Sequence, residues 1–234
     1  MYEEYSHIVP KDWFWTTWEQ FSTPIVHPGD DYFVALGDSF TCGYQMESYS
    51  QTWVSLLSDA TGLGHVNLAW NGASIEATCR FLDRSLSVDP TKLHIVMLPY
   101  PWRSESWLWF KGERNRRIKD TGDHAGRCGF KLGSALERYK HDRVVFTNTW
   151  GLTNEVFEAI EDFADQYPNF MLNRGEWLDR ALDGEHGHAG PLTHGVVAQE
   201  LQDFIKNKGY EIYSTTWNLG ITKTNQLMNY PRAL

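Results

Sequence analysis

Cysteine is scarce in this chain, with only Cys42, Cys79 and Cys128 among 234 residues. An odd number of cysteines at wide spacing gives neither a disulfide framework nor the paired motif of a zinc site. We therefore expect reduced thiols and no structural metal, as in proteins of a reducing compartment.

Long apolar runs are also missing. No stretch approaches the ~20 consecutive apolar residues that cross a bilayer. The first residues, 1–5, are acidic and lack the basic start and apolar run of a secretory signal. These absences predict a cytoplasmic protein without a membrane partner, and they are compatible with release by cell lysis or incorporation into a particle.

Positively charged residues are fewer than negatively charged ones. Lys and Arg number 21 against 30 Asp and Glu, which gives a net charge of −9. The one basic cluster, at 111–119, is short, contains an acid, and is typical of a solvated helix face or loop. Because nucleic-acid binding needs clustered Lys and Arg, this composition argues against nucleic acid as the main partner.

Aromatic residues are abundant, with 11 Trp, 11 Tyr and 12 Phe. Most large aromatic side chains in proteins are buried, so we expect the majority of these rings to fill the core. A few of them, such as those of the Trp-rich stretch at 102–109, are candidates for a surface that stacks on sugars or on a partner.

Apolar runs that indicate strands alternate with helical patterns along the chain. We predict strands at 32–36, 65–69, 93–98, 143–148 and 169–172, and helices at about 50–59, 72–86, 130–140, 153–164 and 196–206. This alternation predicts an α/β doubly wound sheet of about five parallel strands.

The same pattern suggests how the chain is divided. An aromatic, proline-punctuated lead-in at 1–30 is expected to pack on the main domain at 31–208. An irregular stretch at about 102–128 is expected to be an insertion, and 209–234 a tail.

The first predicted strand ends in Gly37-Asp38-Ser39. Ser39 therefore falls at the carboxyl end of a strand, where open α/β sheets place their ligands, and near a helix N-terminus that stabilises negative charge. A serine nucleophile needs a base and an acid, and the His-rich segment 183–194 offers both. The nucleophile elbow of the α/β-hydrolases does not fit, because Thr41 stands where that elbow needs glycine.

These residues resemble the SGNH (GDSL-type) hydrolases, a flavodoxin-like superfamily of esterases, lipases and carbohydrate deacetylases. The first family block corresponds to 36–39, the second to Asn67-Leu68-Ala69 leading to Gly72, and the last to 183–201. The resemblance spans about 32–207 and implies a flavodoxin-like three-layer α/β/α sandwich.

By this resemblance Ser39 is the nucleophile. We favour His188 as the base, because its distance from Ala198 matches the family's run into the last helix, and Glu185 is then the acid by spacing. His186 is the alternative base, since Asp183 precedes it by three residues, and Asp183 is also an alternative acid for His188 if the loop bulges.

The third family block, Gly-x-Asn-Asp, is absent, because the third strand runs into Pro99 and Pro101. The oxyanion hole then depends on the backbone N–H groups of Ser39 and Gly72, helped by the side chain of Asn71. Losing one oxyanion donor costs on the order of a hundredfold in rate. A catalytically weak or inactive binding or structural module with the same fold is therefore the alternative function.

The resemblance implies a small-molecule or carbohydrate ester as substrate and no cofactor. Asp38, Trp102 and Arg103 are the candidate substrate-binding residues, although Arg103 is equally compatible with a surface ion pair to Glu105. A zinc site is the weaker alternative, because it leaves the Gly-Asp-Ser turn unexplained; its ligands would be His186, His188 and His194. The sequence leaves the oligomeric state open.

Overall fold

The computed structural model describes residues 31–99, 124–140, 142–148, 165–172 and 189–210. Within these ranges the strands are β1 (Tyr32–Leu36), β2 (Gly64–Asn67), β3 (Leu93–Leu98), β4 (Val144–Asn148) and β5 (Phe170–Met171). The helices are α1 (Ser39–Cys42), α2 (Trp53–Thr61), α3 (Ile75–Val88), α4 (His124–Arg138) and α5 (Pro191–Asn207), with a 3-10 turn at Tyr49–Gln51.

The five strands form one parallel sheet in the order β2-β1-β3-β4-β5. The carboxyl ends of all five strands therefore lie along one edge of the sheet. The chain changes direction across the sheet between β1 and β3, and such a switch point opens a crevice at the carboxyl ends of the strands. Ser39 follows β1 directly, so the fold places it at this crevice.

Helices cover both faces of the sheet. Alternate residues of β1 divide between two cores: Val34 and Leu36 pack with residues of α3 and α4, whereas Phe33 and Ala35 pack with residues of α2 and α5. Burial on both faces is what an all-parallel sheet requires. The predicted three-layer α/β/α fold with a parallel sheet of about five strands is confirmed.

Capping side chains set the starts of two helices. The hydroxyl of Thr52 accepts from the N–H of Ser55 at the start of α2, and the hydroxyl of Ser74 accepts from the N–H of Ala77 at the start of α3. These bonds satisfy N–H groups that have no partner within the helix. The helices consequently begin a few residues after the predicted positions 50 and 72.

Two other helices begin earlier than predicted. The last helix begins at Pro191 instead of 196, and α4 begins at His124 instead of about 130. Proline is well suited to the first position of a helix, because the N–H that it lacks would have no partner there.

Several predicted features lie outside the described residues: the lead-in at 1–30, most of the insertion at 102–128, the helix at 153–164 and the tail beyond 210. Among the helices of the described ranges, none is both long and apolar enough to cross a membrane.

Candidate functional site

Ser39 is the first residue of α1 and is almost fully buried, with 4% of its surface exposed. The Asp38 carboxylate caps this short helix by accepting from the N–H of Phe40 at 3.2 Å. The N–H of Tyr44 donates to the carbonyl of Ser39 at 2.9 Å, and Gly43 ends the helix in the left-handed conformation. The serine is therefore held in a tight turn at the carboxyl end of β1.

Only glycine fits at position 37. Its φ is 158°, and a Cβ atom there would clash with the hydroxyl of Thr41 and lie 2.8 Å from the carbonyl oxygen of Met97 in β3. The backbone between β1 and α1 thus approaches both the serine helix and the neighbouring strand more closely than any side chain allows.

Asn67, the last residue of β2, ties the serine turn to the next loop. Its side-chain amide donates to the carbonyl of Thr41 at 2.9 Å, and its side-chain oxygen accepts from the N–H of Ala69 at 3.0 Å. The amide also donates to the hydroxyl of Tyr49 at 3.2 Å. Sequence reasoning used Asn67 only as part of a motif, whereas the structure shows that it fixes two segments of the candidate site relative to each other.

The loop after β2 contains two of the predicted oxyanion donors, Asn71 and Gly72. The N–H of Trp70 donates to the carbonyl of Gly37 at 3.0 Å, so this loop lies beside the serine turn. The N–H of Ala73 then closes a turn onto the carbonyl of Trp70, and Gly72 in that turn has a φ of 79°. The structure therefore brings the loop that holds Asn71 and Gly72 to the backbone that holds Ser39.

The buried ring of His194 also contacts this region. Its ring is 1% exposed and stacks on Phe40, with centroids 4.4 Å apart and an interplanar angle of 10°. Its Nδ1 accepts from the N–H of Trp53 at 3.0 Å. Burial lowers the pKa of His194 to about 3, so the ring is neutral at ordinary pH and its proton is on Nε2.

This geometry also bears on the alternative metal site. With Nδ1 accepting from Trp53 and Nε2 protonated, neither nitrogen of His194 offers a lone pair to a cation. Over the ranges that the structure describes, there is no group of three or more His, Cys, Asp or Glu side chains arranged to hold a metal ion.

A further amide lies at the same edge of the sheet and was missed by sequence reasoning. Asn148 is the last residue of β4, is fully buried, and pairs in register with Leu98 of β3. Because β3 separates β4 from β1, the two strands are about 10 Å apart. Asn148 therefore lies two strands away from Ser39 along the same edge.

The remaining predicted site residues lie outside the described residues, and their roles stay predictions. They are Trp102, Arg103, Asp183, Glu185, His186 and His188. Asp38 is described, and its carboxylate caps α1; whether it also contacts substrate stays a prediction.

A parallel sheet in this strand order, with helices on both faces, defines the flavodoxin-like class of doubly wound α/β folds. Comparison with models of protein families finds no match, and comparison with curated proteins finds none either. Solved structures do match.

The esterase EstA from Pseudoalteromonas sp. is similar over 76% of this chain and 98% of its own, with a TM-score of 0.52 and 16% identity. TesA is similar over 76% and 99%, with a TM-score of 0.52 and 15% identity. A carbohydrate esterase of family 2 from Corynascus thermopiles is similar over 80% and 68%, with a TM-score of 0.53 and 14% identity.

At these identities the comparisons establish the fold. The chain has the fold of these solved structures, which is the α/β fold that the resemblance to the SGNH (GDSL-type) hydrolases implied. Solved proteins that share this fold include both general and carbohydrate esterases.

Proposed function

We propose that this protein is a serine esterase that forms an acyl-enzyme on Ser39. The observation that supports this most strongly is the setting of the serine. Ser39 begins a helix at the switch point of a parallel sheet. The turn that contains Gly72 starts at Trp70, whose N–H donates to the carbonyl of Gly37, just before the N-cap of the helix. A helix start provides N–H donors for a developing negative charge, which is what ester cleavage needs.

In the proposed reaction, the hydroxyl oxygen of Ser39 attacks the ester carbonyl while His188 accepts its proton. Glu185 or Asp183 orients the imidazole, which then gives the proton to the departing alcohol. Water, deprotonated by the same imidazole, attacks the acyl-serine and releases the carboxylic acid. His186 is the alternative base.

Chain connectivity supports His188 in this role. It precedes Ala189, and consecutive Cα atoms are about 3.8 Å apart. Ala189 is 4% exposed and belongs to the same packed cluster as Phe40, the residue after Ser39. The residue that follows the proposed base is therefore part of the core that supports the nucleophile.

The Asp38 cap restricts the choice of oxyanion donors. Because its carboxylate accepts the N–H of Phe40, that N–H does not serve a substrate oxygen. The proposal assigns the oxyanion hole to the backbone N–H groups of Ser39 and Gly72, with help from the Asn71 side chain. Without the third-block asparagine, we expect turnover on the order of a hundredfold below that of an enzyme with the full set of donors.

Acetylated carbohydrate is the proposed substrate class. Carbohydrate esterases are among the proteins with this fold, and the Trp-rich stretch that includes Trp102 and Arg103 offers rings that stack on sugars. The missing third-block asparagine favours one alternative, a module that binds such a saccharide without cleaving it.

Measuring ester hydrolysis distinguishes the proposed esterase from the saccharide-binding module. Wild type and Ser39→Ala are incubated with p-nitrophenyl acetate and with acetylated xylo-oligosaccharides, and saccharide binding is measured by calorimetry. If the protein is an esterase, we expect wild type to hydrolyse the esters and Ser39→Ala to lose at least about a thousandfold in the rate of hydrolysis. Saccharide binding by both proteins with no hydrolysis of either ester by wild type would instead establish the binding module.

A further inference from the structure

His194 lies at the contact between two segments that the proposed reaction must keep in register. One is the serine turn, through Phe40, the neighbour of Ser39 in α1. The other is the first turn of α5, where the N–H of His194 donates to the carbonyl of Gly190 at 3.2 Å. Gly190 follows His188 by only two residues, so its Cα lies within about 7 Å of that of His188.

The imidazole is fixed in both position and orientation. Trp53 is the first residue of α2, and its N–H has no partner within that helix; Nδ1 of His194 accepts it at 3.0 Å. The ring plane is then within 10° of the Phe40 ring plane. A single side chain thus connects α1, α2 and α5.

We propose that His194 is a positioning residue for the catalytic centre, holding the serine turn in register with the start of α5 and with the base that precedes it. This inference rests on the proposed esterase function. His194 itself transfers no proton, because its Nδ1 is occupied by the Trp53 N–H and its ring is sealed from solvent.

The alternative is that His194 only contributes to stability, as any buried aromatic ring does. The chain contains a matched control in His94, which is fully buried in β3 and bonded through Nε2 to the Ser85 hydroxyl at 2.9 Å. Its Nδ1 bonds the carbonyl of Lys92 at 2.9 Å. His94 is near the amino end of β3, away from the edge that holds Ser39.

The test compares His194→Asn, which keeps an acceptor near Nδ1 but removes the stacked ring, with His194→Phe, which keeps a ring but removes the acceptor. His94→Asn is the control for lost stability. Each protein is assayed where circular dichroism shows it folded. Two quantities are measured: the second-order rate constant for labelling of Ser39 by an organophosphonate, and kcat and KM for p-nitrophenyl acetate.

We expect His194→Asn to lower kcat and the labelling rate about tenfold to a hundredfold with little change in KM, since misplacement of about 1 Å costs that much. His194→Phe should lose less, and His94→Asn should stay within twofold of wild type. If His194→Asn does not fold, Phe40→Leu removes the same stack from the serine side, with the same expected loss.

Three results overturn the inference, and they are distinguishable. If wild type is labelled but folded His194→Asn, or Phe40→Leu in its place, reacts at the wild-type rate, only the positioning role fails. An equal loss in His94→Asn also assigns the effect to stability. If folded wild type is neither labelled nor active, the proposed esterase function fails and the positioning role fails with it.

Discussion

The two edges of the sheet differ in how far their charged side chains are exposed. At the carboxyl edge, Asp38, Ser39 and Asn67 are all at most 7% exposed; Asp38 caps α1, and Asn67 connects the serine turn to the loop after β2. At the amino edge, charged residues such as Lys140 and Lys208 line an open cavity of about 600 Å³. Lys140 pairs there with Glu137 while both side chains remain more than half exposed.

The difference matters because burying a polar or charged group costs free energy, whereas leaving it exposed to water does not. A polar group that loses water must recover its hydrogen bonds inside the protein, and each unsatisfied one costs about 1–3 kcal/mol. Exposed ion pairs involve little desolvation and contribute little. Buried and bonded polar side chains occur at both edges, since His94 and Asn169 lie toward the amino edge. The carboxyl edge differs in that its buried polar groups surround a serine turn at the switch point of the sheet, and we therefore assign function there.

The largest effect is expected from Gly37→Ala. The new Cβ would meet the backbone of β3 and the Thr41 side chain at a φ of 158°, so we expect a loss of about 3 kcal/mol or more. Soluble yield and the urea midpoint measure it. The control is Gly195→Ala, in α5 with open space around the site, which should gain about 1 kcal/mol of stability. A Gly37→Ala protein as stable as wild type contradicts the described turn.

Asn67→Leu and Asn169→Leu compare the two edges directly. Both asparagines are 7% exposed, and both donate to backbone carbonyls, Asn67 to Thr41 and Asn169 to Val144 at 2.9 Å each. We expect each variant to lose about 2–4 kcal/mol of unfolding free energy. Esterase activity per folded molecule should fall only in Asn67→Leu. An equal loss of esterase activity in both variants would show that activity does not depend on the carboxyl edge in particular.

Acid should destabilise the carboxyl edge through His194. Its pKa is about 3 in the folded protein, against an ordinary 6.5, because burial disfavours the charged ring. The unfolded chain therefore binds the extra proton first, and stability falls with pH between about 6.5 and 3, by up to about 1.4 kcal/mol per unit. The ring faces Phe40 and the Trp53 N–H, and neither group titrates.

Urea titrations at several pH values measure this slope. His194→Asn lacks the titrating group, so its stability should depend less steeply on pH over the same interval. Identical slopes for the two proteins would mean that His194 titrates normally and is not sealed from water.

The smallest effect is expected at the amino edge. Lys140→Ala removes the exposed pair with Glu137, whose carboxylate also accepts from the Tyr167 hydroxyl at 2.8 Å. We expect the thermal midpoint and the esterase activity to stay within experimental error. A clear loss of activity would show that the cavity at this edge communicates with the carboxyl edge.

The positions of the strands can be predicted well from the sequence, because an apolar run that ends abruptly marks a strand within a few neighbouring residues. The bounds of β1 and β3 match the predictions to the residue, since the runs end at Gly37 and Pro99. For β2 the prediction extends two residues too far. The side chain of Asn67 accepts the N–H of Ala69 and turns the chain there.

The site could be predicted only in part. The Gly-Asp-Ser turn is contiguous in sequence, and so are the residues of the second block. The bond from Asn67 to Thr41 joins residues 26 positions apart, and the bond from Trp53 to His194 joins residues 141 apart. No local pattern encodes such pairings, because they arise only when β1, β2 and α5 come together at one edge.

The most direct test of the central claim is covalent labelling of the serine. The folded protein is incubated with an excess of a p-nitrophenyl alkylphosphonate, and its intact mass and peptides are determined by mass spectrometry. We expect one adduct per chain, on the peptide that contains Ser39, and no adduct in Ser39→Ala. A folded wild-type protein that acquires no adduct at Ser39, or the same adduct in Ser39→Ala, would contradict the assignment of Ser39 as the nucleophile.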